Sequence, residues 1–397
     1  MIEVLVSEVD MCPHEDPLKE QPKQGTQEGL APVSRLRADS DAKSHKSHRS
    51  RCSSEYSCHS VDHEKGTQRE VFFGSDSRFE EEKKRLLDRV QADEDIWVGD
   101  CDCKTQLVDR ISGGSFGEVY LGKLKDGGHE VAVKLEPRNL STQYLLHEGS
   151  VYRKLENGPG IPRVYWYGLH GSDYSVMVMD LLGPTVQHLF AKCGFKLTLK
   201  TVLQLVDQML TIIQHVHANN FVHRDISPSN FMMGLGENSG QVYLIDFGHA
   251  RKLTTGFIPG RMMSSSVRRP MVGTPRFASI FTHMGREESR RDDLESLGFI
   301  WIYLLKGRLP WQGVRCSSHA EKLAEIARRK LNTPLEELCE GLPKEFAEYL
   351  HFVRHLKQHD VPDYNQIRAF FRGLAVKEGI EYDNAFDWKL TRPDGPA

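Results

Sequence analysis

Two short segments of the chain hold residues suited to moving a phosphoryl group. The first reads His223-Arg224-Asp225-Ile226-Ser227-Pro228-Ser229-Asn230, and the second, a short strand later, is Asp246-Phe247-Gly248. The carboxylate of Asp225 can accept the proton of an attacking hydroxyl, while Asn230 and Asp246 supply oxygens suited to Mg²⁺ bridging the phosphates of ATP. A third element lies upstream. Glu130-Val131-Ala132-Val133-Lys134-Leu135-Glu136 alternates apolar residues as a strand does and puts Lys134 where its ammonium can reach the α- and β-phosphates. Glu148, in the helical stretch 143–155, is the natural ion-pair partner of that lysine. A lysine at a strand end and a glutamate on a helix are ordinarily surface charges. Their order ahead of the catalytic segment is what favours the pairing.

The elements that must position these groups are legible nearby. Gln106-Leu107-Val108 leads into Ile111-Ser112-Gly113-Gly114-Ser115-Phe116-Gly117-Glu118-Val119-Tyr120-Leu121-Gly122, a strand, a glycine-rich turn and a second strand. Gly113, Gly114, Ser115 and Gly117 let backbone amides approach phosphate oxygens without a side chain in the way. Many hairpins have glycine turns, so this segment gains its meaning from the Lys134 strand that follows. The most hydrophobic long segment, 201–217, is interrupted by Gln204, Asp207, Gln208 and Gln214 and reads as a buried helix, so no membrane segment is expected.

Composition bounds the rest. The chain has 397 residues, 39% hydrophobic and 27% charged, enough for a large core and two or three folding units. A formal charge of −3 gives no global attraction to nucleic acid or to an anionic membrane, and no stable nucleic-acid partner is expected. Residues 1–79 have little apolar periodicity, and 1–95 read as a disordered basic, Ser- and His-rich tail, because such a segment cannot bury enough area to offset its ordering entropy. Within it, Lys43-Ser44-His45-Lys46-Ser47-His48-Arg49-Ser50-Arg51 is a dense basic run suited to nuclear addressing, nucleic-acid contact or a solvated tail. Residues 80–90 have helical composition. The eight cysteines are scattered, and Cys52, Cys58, His59, His63, Cys101 and Cys103 fit no paired zinc-finger spacing. Reduced thiols and an intracellular location, cytoplasmic or nuclear, are the expectation.

On these residues the chain from Leu107 to Leu390 resembles a protein kinase of the casein kinase 1 family. The catalytic segment and Asp246-Phe247-Gly248 carry the general kinase signature. Val178-Met179-Asp180-Leu181-Leu182-Gly183-Pro184 is similar to that family's hinge, and Asn230-Phe231-Met232-Met233-Gly234 to the stretch after its catalytic loop. The segment 289–298, Ser-Arg-Arg-Asp-Asp-Leu-Glu-Ser-Leu-Gly, with Leu309-Pro310-Trp311-Gln312-Gly313 further on, is the most distinctive part. Gly273-Thr274-Pro275-Arg276-Phe277-Ala278-Ser279-Ile280 stands where a general kinase has Ala-Pro-Glu.

The resemblance implies an α+β, bilobal protein-kinase fold after the disordered tail. A small β-rich N-lobe (104–182) and a larger helical C-lobe (183–390) together make a kinase domain over 104–390. It implies ATP in the cleft, with Ile111, Val119 and Ala132 sandwiching the base, Met179 as gatekeeper, and the backbone of Asp180, Leu181 and Leu182 bonding adenine. Mg²⁺ would sit on Asn230 and Asp246, Thr274 would bond the catalytic loop, and Asp293 would anchor that loop's backbone. Protein serine or threonine substrates with acidic or phosphorylated motifs would meet Arg276 and Arg315, with Arg268 and Arg269 nearby. Arg224 would be the residue to clamp an activation-segment phosphate, with Ser264, Ser265 and Ser266 as candidate carriers. A monomer is expected.

The sequence departs from the family pattern at three places. Ser112 takes the position of the first glycine of the phosphate loop, His188 that of an acid that often meets the ribose, and Ser227 that of the lysine that usually holds the γ-phosphate. Loss of one preorganised donor lowers turnover on the order of 10²–10³-fold. A slow kinase is therefore the first expectation. The alternatives are a nucleotide-binding pseudokinase or scaffold and a small-molecule kinase; the Gly-Ser-Phe-Gly turn and the long helical lobe argue against the latter.

Overall fold

The computed structural model describes residues 97–99, 103–114, 117–125, 127–138, 143–171, 173–253 and 270–390. The basic run, the helical stretch 80–90, Ser115, the three serines 264–266 and Arg268 and Arg269 lie outside the described residues.

The first part is a six-stranded antiparallel sheet in the order β1-β2-β3-β4-β6-β5. Its strands are β1 (Trp97–Val98), β2 (Thr105–Gly114), β3 (Gly117–Leu124), β4 (Glu130–Pro137), β5 (Val164–His170) and β6 (Tyr174–Asp180). Trp97 and Val98 pair with Gln106 and Thr105, so the sheet begins ahead of residue 104. Period-2 alternation decides which side chains see the cleft. On β4, Val131, Val133 and Leu135 bury into a small cluster on one face with Val176 and Val178 of β6, while Ala132 packs against the main core on the other with Met177 and Met179. Lys134, in phase with Ala132, therefore points to the cleft side. Helix α1 (Leu145–Leu155) packs on that same face.

The second part is helical. It comprises α2 (Val186–Lys192), α3 (Leu199–Ala218), α4 (Ile280–His283), α5 (Arg290–Lys306), α6 (His319–Asn332), α7 (Leu335–Leu338), α8 (Lys344–His355), α9 (Tyr364–Lys377) and α10 (Asp387–Leu390). Short strands β7 (Phe221–Val222) and β10 (Arg251–Lys252) pair with each other, as do β8 (Phe231–Met233) and β9 (Val242–Leu244). The segment 201–217 forms most of α3, started by Thr198, whose side chain accepts from the Thr201 amide. Helix α5 is buried on every side, opened by a Ser289–Asp292 capping box and closed by Gly307 at φ +85°. Its acids Asp292, Asp293 and Glu295 are all buried, so each must find donors elsewhere in the lobe. Among the described residues, no helix is long and apolar enough to cross a membrane.

Candidate active site

Strand β4 builds one wall of the site twice over. Lys134 Nζ lies 2.7 Å from Glu148 Oε2 and 3.6 Å from Asp246 Oδ1, so the strand lysine bridges the helix acid and the acid of the Asp-Phe-Gly segment. Glu136, next on the same face of β4, accepts from the backbone amides of Tyr144 at 3.0 Å and Leu145 at 2.9 Å. Those amides open α1, which has no cap of its own there, so the strand that carries Lys134 also pins the helix that carries Glu148. Burial pushes the Glu148 carboxyl up to about 7 against the pull of Lys134. Burial also works against the Lys134 ammonium, but Asp246 and Glu148 together raise it above the ordinary lysine value. The Lys134 charge beside Asp246 holds that carboxyl below the usual range.

Asp246 is held in the left-handed region at φ 66° and ψ 67°, and its backbone amide donates to the Tyr152 hydroxyl at 3.2 Å. Phe247 is fully buried, edge-on to Tyr152 and to His223 with centroids 4.9 Å from each. Seating this ring under α1 swings Asp246 toward Lys134. The catalytic segment is fixed from below. Asp293 of α5 accepts from the backbone amides of His223 at 2.8 Å and Arg224 at 3.0 Å, and from His217 Nε2 at 2.9 Å. Arg224 itself sits at φ 74°, a strained turn that this buried carboxylate sustains. Burial keeps His217 neutral at ordinary pH, and the Tyr364 hydroxyl of α9 meets its Nδ1.

Asp225, in segment 223–230, bonds to Asn230 and to Thr274. Asp225 Oδ1 accepts from both the amide and the hydroxyl of Thr274, each at 2.8 Å. Asn230 Nδ2 donates to the Asp225 carbonyl at 2.8 Å and to Asp225 Oδ2 at 3.1 Å, which leaves its own Oδ1 free to face a cation. One oxygen of Asp225 is thus doubly held by Thr274, and the other accepts only from Asn230 Nδ2. The Ile245 amide donates to the Asn230 carbonyl at 2.9 Å, which brings the backbone just before Asp246 beside Asn230, and both side chains carry oxygens of the kind Mg²⁺ takes.

Around this centre, Ile111 sits in a β-bulge between Arg110 and Ser112, and Val119 pairs with Ser112 across the β2–β3 hairpin. Ser112 is not among the residues with positive φ, so the serine fits the strand there. Gly117 is, at φ 149°, and an added Cβ would meet the Leu135 carbonyl at 2.2 Å. A Cβ on Gly113 would run into the Arg110–Glu118 ion pair that braces the base of the turn. Gly114 faces Gly117 at the hairpin end. Met179 is buried, and Ala132 pairs with it across β4 and β6. The Asp180 amide donates to the Arg163 carbonyl at 3.0 Å and its carboxylate takes Tyr165 Oη at 2.9 Å. Leu181 and Leu182 continue without strand pairing. His188, on the first turn of α2, is exposed, and Ser227 is buried with 4% exposure.

Of the arginines expected to meet substrate, Arg276 lies over the Phe277 and Tyr303 rings at 5.8 and 5.6 Å, and Arg315 is exposed after Trp311. Arg224 donates to Glu288 Oε1 at 3.3 Å and to the His249 carbonyl at 3.3 Å. Arg251 pairs with Glu287 and donates to the Glu288 carbonyl at 2.6 Å. The guanidinium expected to clamp a phosphate is therefore occupied by the chain's own buried Glu288. Sequence reasoning missed Glu136, Tyr152, His217 and Tyr364. Only the spacing of Glu136 from Lys134 on one strand face carried any signal for them. Among the described residues no group of three or more His, Cys, Asp or Glu side chains is placed to hold a metal. Residues 105–363 match the family model described as the protein kinase domain.

Proposed function

This chain belongs to the protein kinase family, and from that premise we propose that it is a serine/threonine kinase of the casein kinase 1 type. It would transfer the γ-phosphoryl of Mg-ATP to hydroxyls in acidic or already phosphorylated protein segments. The observation that carries the reading is the clamp on Asp225. Thr274 holds one carboxylate oxygen with two bonds, so the second, steered by Asn230, is fixed as the acceptor for a hydroxyl proton.

The other roles follow from the same geometry. Lys134, held by Glu148, presents an ammonium to the phosphate side of the cleft. Asn230 Oδ1 and the Asp246 carboxylate would hold Mg²⁺, which when bound neutralises charge on the phosphate oxygens. The glycine-rich turn offers amides, and Met179 with Ala132 offers an apolar seat for the base. Arg276 and Arg315 favour acidic or phosphorylated peptides because guanidinium forks pair with such anions.

The test is phosphate incorporation into casein or an acidic serine peptide by purified protein with Mg-ATP. Incorporation should appear in the parent and vanish in Asp225→Asn and Asp246→Ala; a parent no better than these variants on several substrates sinks the reading. Ser227 favours a second reading, a nucleotide-binding scaffold, because a serine there brings no ammonium to the γ-phosphate. A thermal-shift titration with Mg-ATP in a catalytically silent parent would support it, since bound ligand raises apparent stability.

A further inference from the structure

The loop after Thr274 turns its carbonyls inward onto donors. The Thr274 carbonyl accepts from the amides of Phe277 and Ala278, both at 3.0 Å, and the Arg276 carbonyl from Trp311 Nε1 at 2.8 Å. The Pro275 and Ala278 carbonyls, on either side of Arg276, share one donor. Lys330 Nζ, from α6, reaches the first at 2.8 Å and the second at 2.6 Å. His283 Nε2 also meets the Pro275 carbonyl, at 3.2 Å.

Lys330 is 1% exposed, and its ammonium lies 5.1 Å from the Phe299 ring centroid and 5.2 Å from that of Trp311. Its hydrogen-bond partners are carbonyls and not a carboxylate. A cation withdrawn from water with no carboxylate among its hydrogen-bond partners is costly, even with the buried Glu295 of α5 offsetting part of its charge, and an apolar side chain would fill the space between two aromatic rings better. Packing alone gives no reason for a charge here. Burial pushes the Lys330 ammonium well below the ordinary lysine range, and burial with the nearby lysine pushes His283 down to about 4. A neutral His283 keeps an N–H for the Pro275 carbonyl. The Leu309-Pro310-Trp311-Gln312-Gly313 segment thereby acquires a use: it seats Trp311 as both a wall for the ammonium and the donor to Arg276.

We propose that Lys330 is a positioning residue for the protein substrate, fixing loop 274–278 from beneath and through it the presentation of Arg276, so that it sets peptide affinity and leaves nucleotide affinity alone. The proposal rests on the protein-substrate reading given above, and two readouts separate the two ideas. In the full chain, Lys330→Met should raise the KM for a serine peptide flanked by aspartates about 10-fold or more, with the KM for ATP unchanged. Trp311→Phe, which keeps the ring and removes the Arg276 donor, should show the same split, and it decides the matter should Lys330→Met fail to fold. Amide hydrogen exchange should quicken over 274–279 in both variants while α5 stays protected.

A parallel rise in both KM values, or exchange that quickens throughout the lobe, would reduce Lys330 to a core residue and overturn the proposal, as would unchanged exchange over 274–279. A parent that handles an alanine-flanked peptide equally well would remove the acidic-substrate reading. The exchange pattern alone would then decide for or against Lys330.

Discussion

Thr274 grips the carboxylate of Asp225 with both of its donors, amide and hydroxyl, on the same oxygen. The hydroxyl bond is charge-assisted, of a kind that contributes about 1.5–3 kcal/mol. Thr274→Val keeps the shape and the amide bond and removes only that donor. Turnover should fall about 10- to 100-fold with the KM for ATP unchanged, as read from steady-state kinetics. A loss expressed in the ATP KM would mean that the clamp serves the nucleotide and not the base.

Glu148 predicts opposite pH trends for activity and stability. Its carboxyl is raised by burial from 4.5 to about 7, so it takes a proton as pH falls through about 7 and Lys134 loses the nearer of its two charged partners, keeping Asp246. The rate should fall on that acid limb, and Glu148→Gln should be slow and flat across it. Between 4.5 and about 7 the folded state binds this proton more tightly than the unfolded chain does, so this group's contribution to stability falls as pH rises through the window. The melting temperature of the parent relative to Glu148→Gln should therefore drop between about pH 5 and about pH 8.

Much of this centre was legible in the sequence, and the remainder was hidden for a physical reason. The alternation around Lys134 showed the face of β4 that it shares with Ala132, and the order of Lys134 and Glu148 showed the ion pair that the structure contains. Lys330 follows Arg328 and Arg329 on an otherwise charged helix and reads as a solvated face. Its burial comes from Trp311 and Phe299, on distant parts of the chain, which no local period reports. His217 and Tyr364 likewise meet only through tertiary packing of α3 against α9.

Replacing Glu136 tests the link between strand and helix. Glu136→Ala removes the carboxylate to which the Tyr144 and Leu145 amides donate and should cost about 0.5–2 kcal/mol in chemical denaturation, the range for loss of a helix cap. It should also raise the KM for ATP, because α1 then holds Glu148 less firmly against Lys134. An unchanged KM would confine Glu136 to stability.

Ser227→Lys restores an ammonium where the buried hydroxyl now lies. Turnover should rise, on the order of 10²-fold, in the phosphate-incorporation assay. No gain in a folded variant would mean that another group already meets the γ-phosphate, or that the fold is kept for binding.

The Arg224–Glu288 contact predicts independence from activation-segment phosphate. Alanine at Ser264, Ser265 and Ser266 together, or phosphatase treatment, should leave the rate unchanged. Glu288→Gln should lower it severalfold by loosening Arg224 beside the base. A rate that collapses in the triple alanine variant would overturn this.

Helix α5 spends its three buried acids on different loops. Asp293 holds the catalytic segment, Asp292 takes the Ser279 hydroxyl at 2.5 Å, and Glu295 takes the Ile280 amide at 3.1 Å beside the substrate loop. The segment that carries Asp225 and the loop after Thr274 are therefore surveyed from a single datum. On the proposed kinase reading, the acceptor half of the transfer is aligned by this one helix, independently of how the sheet presents the nucleotide.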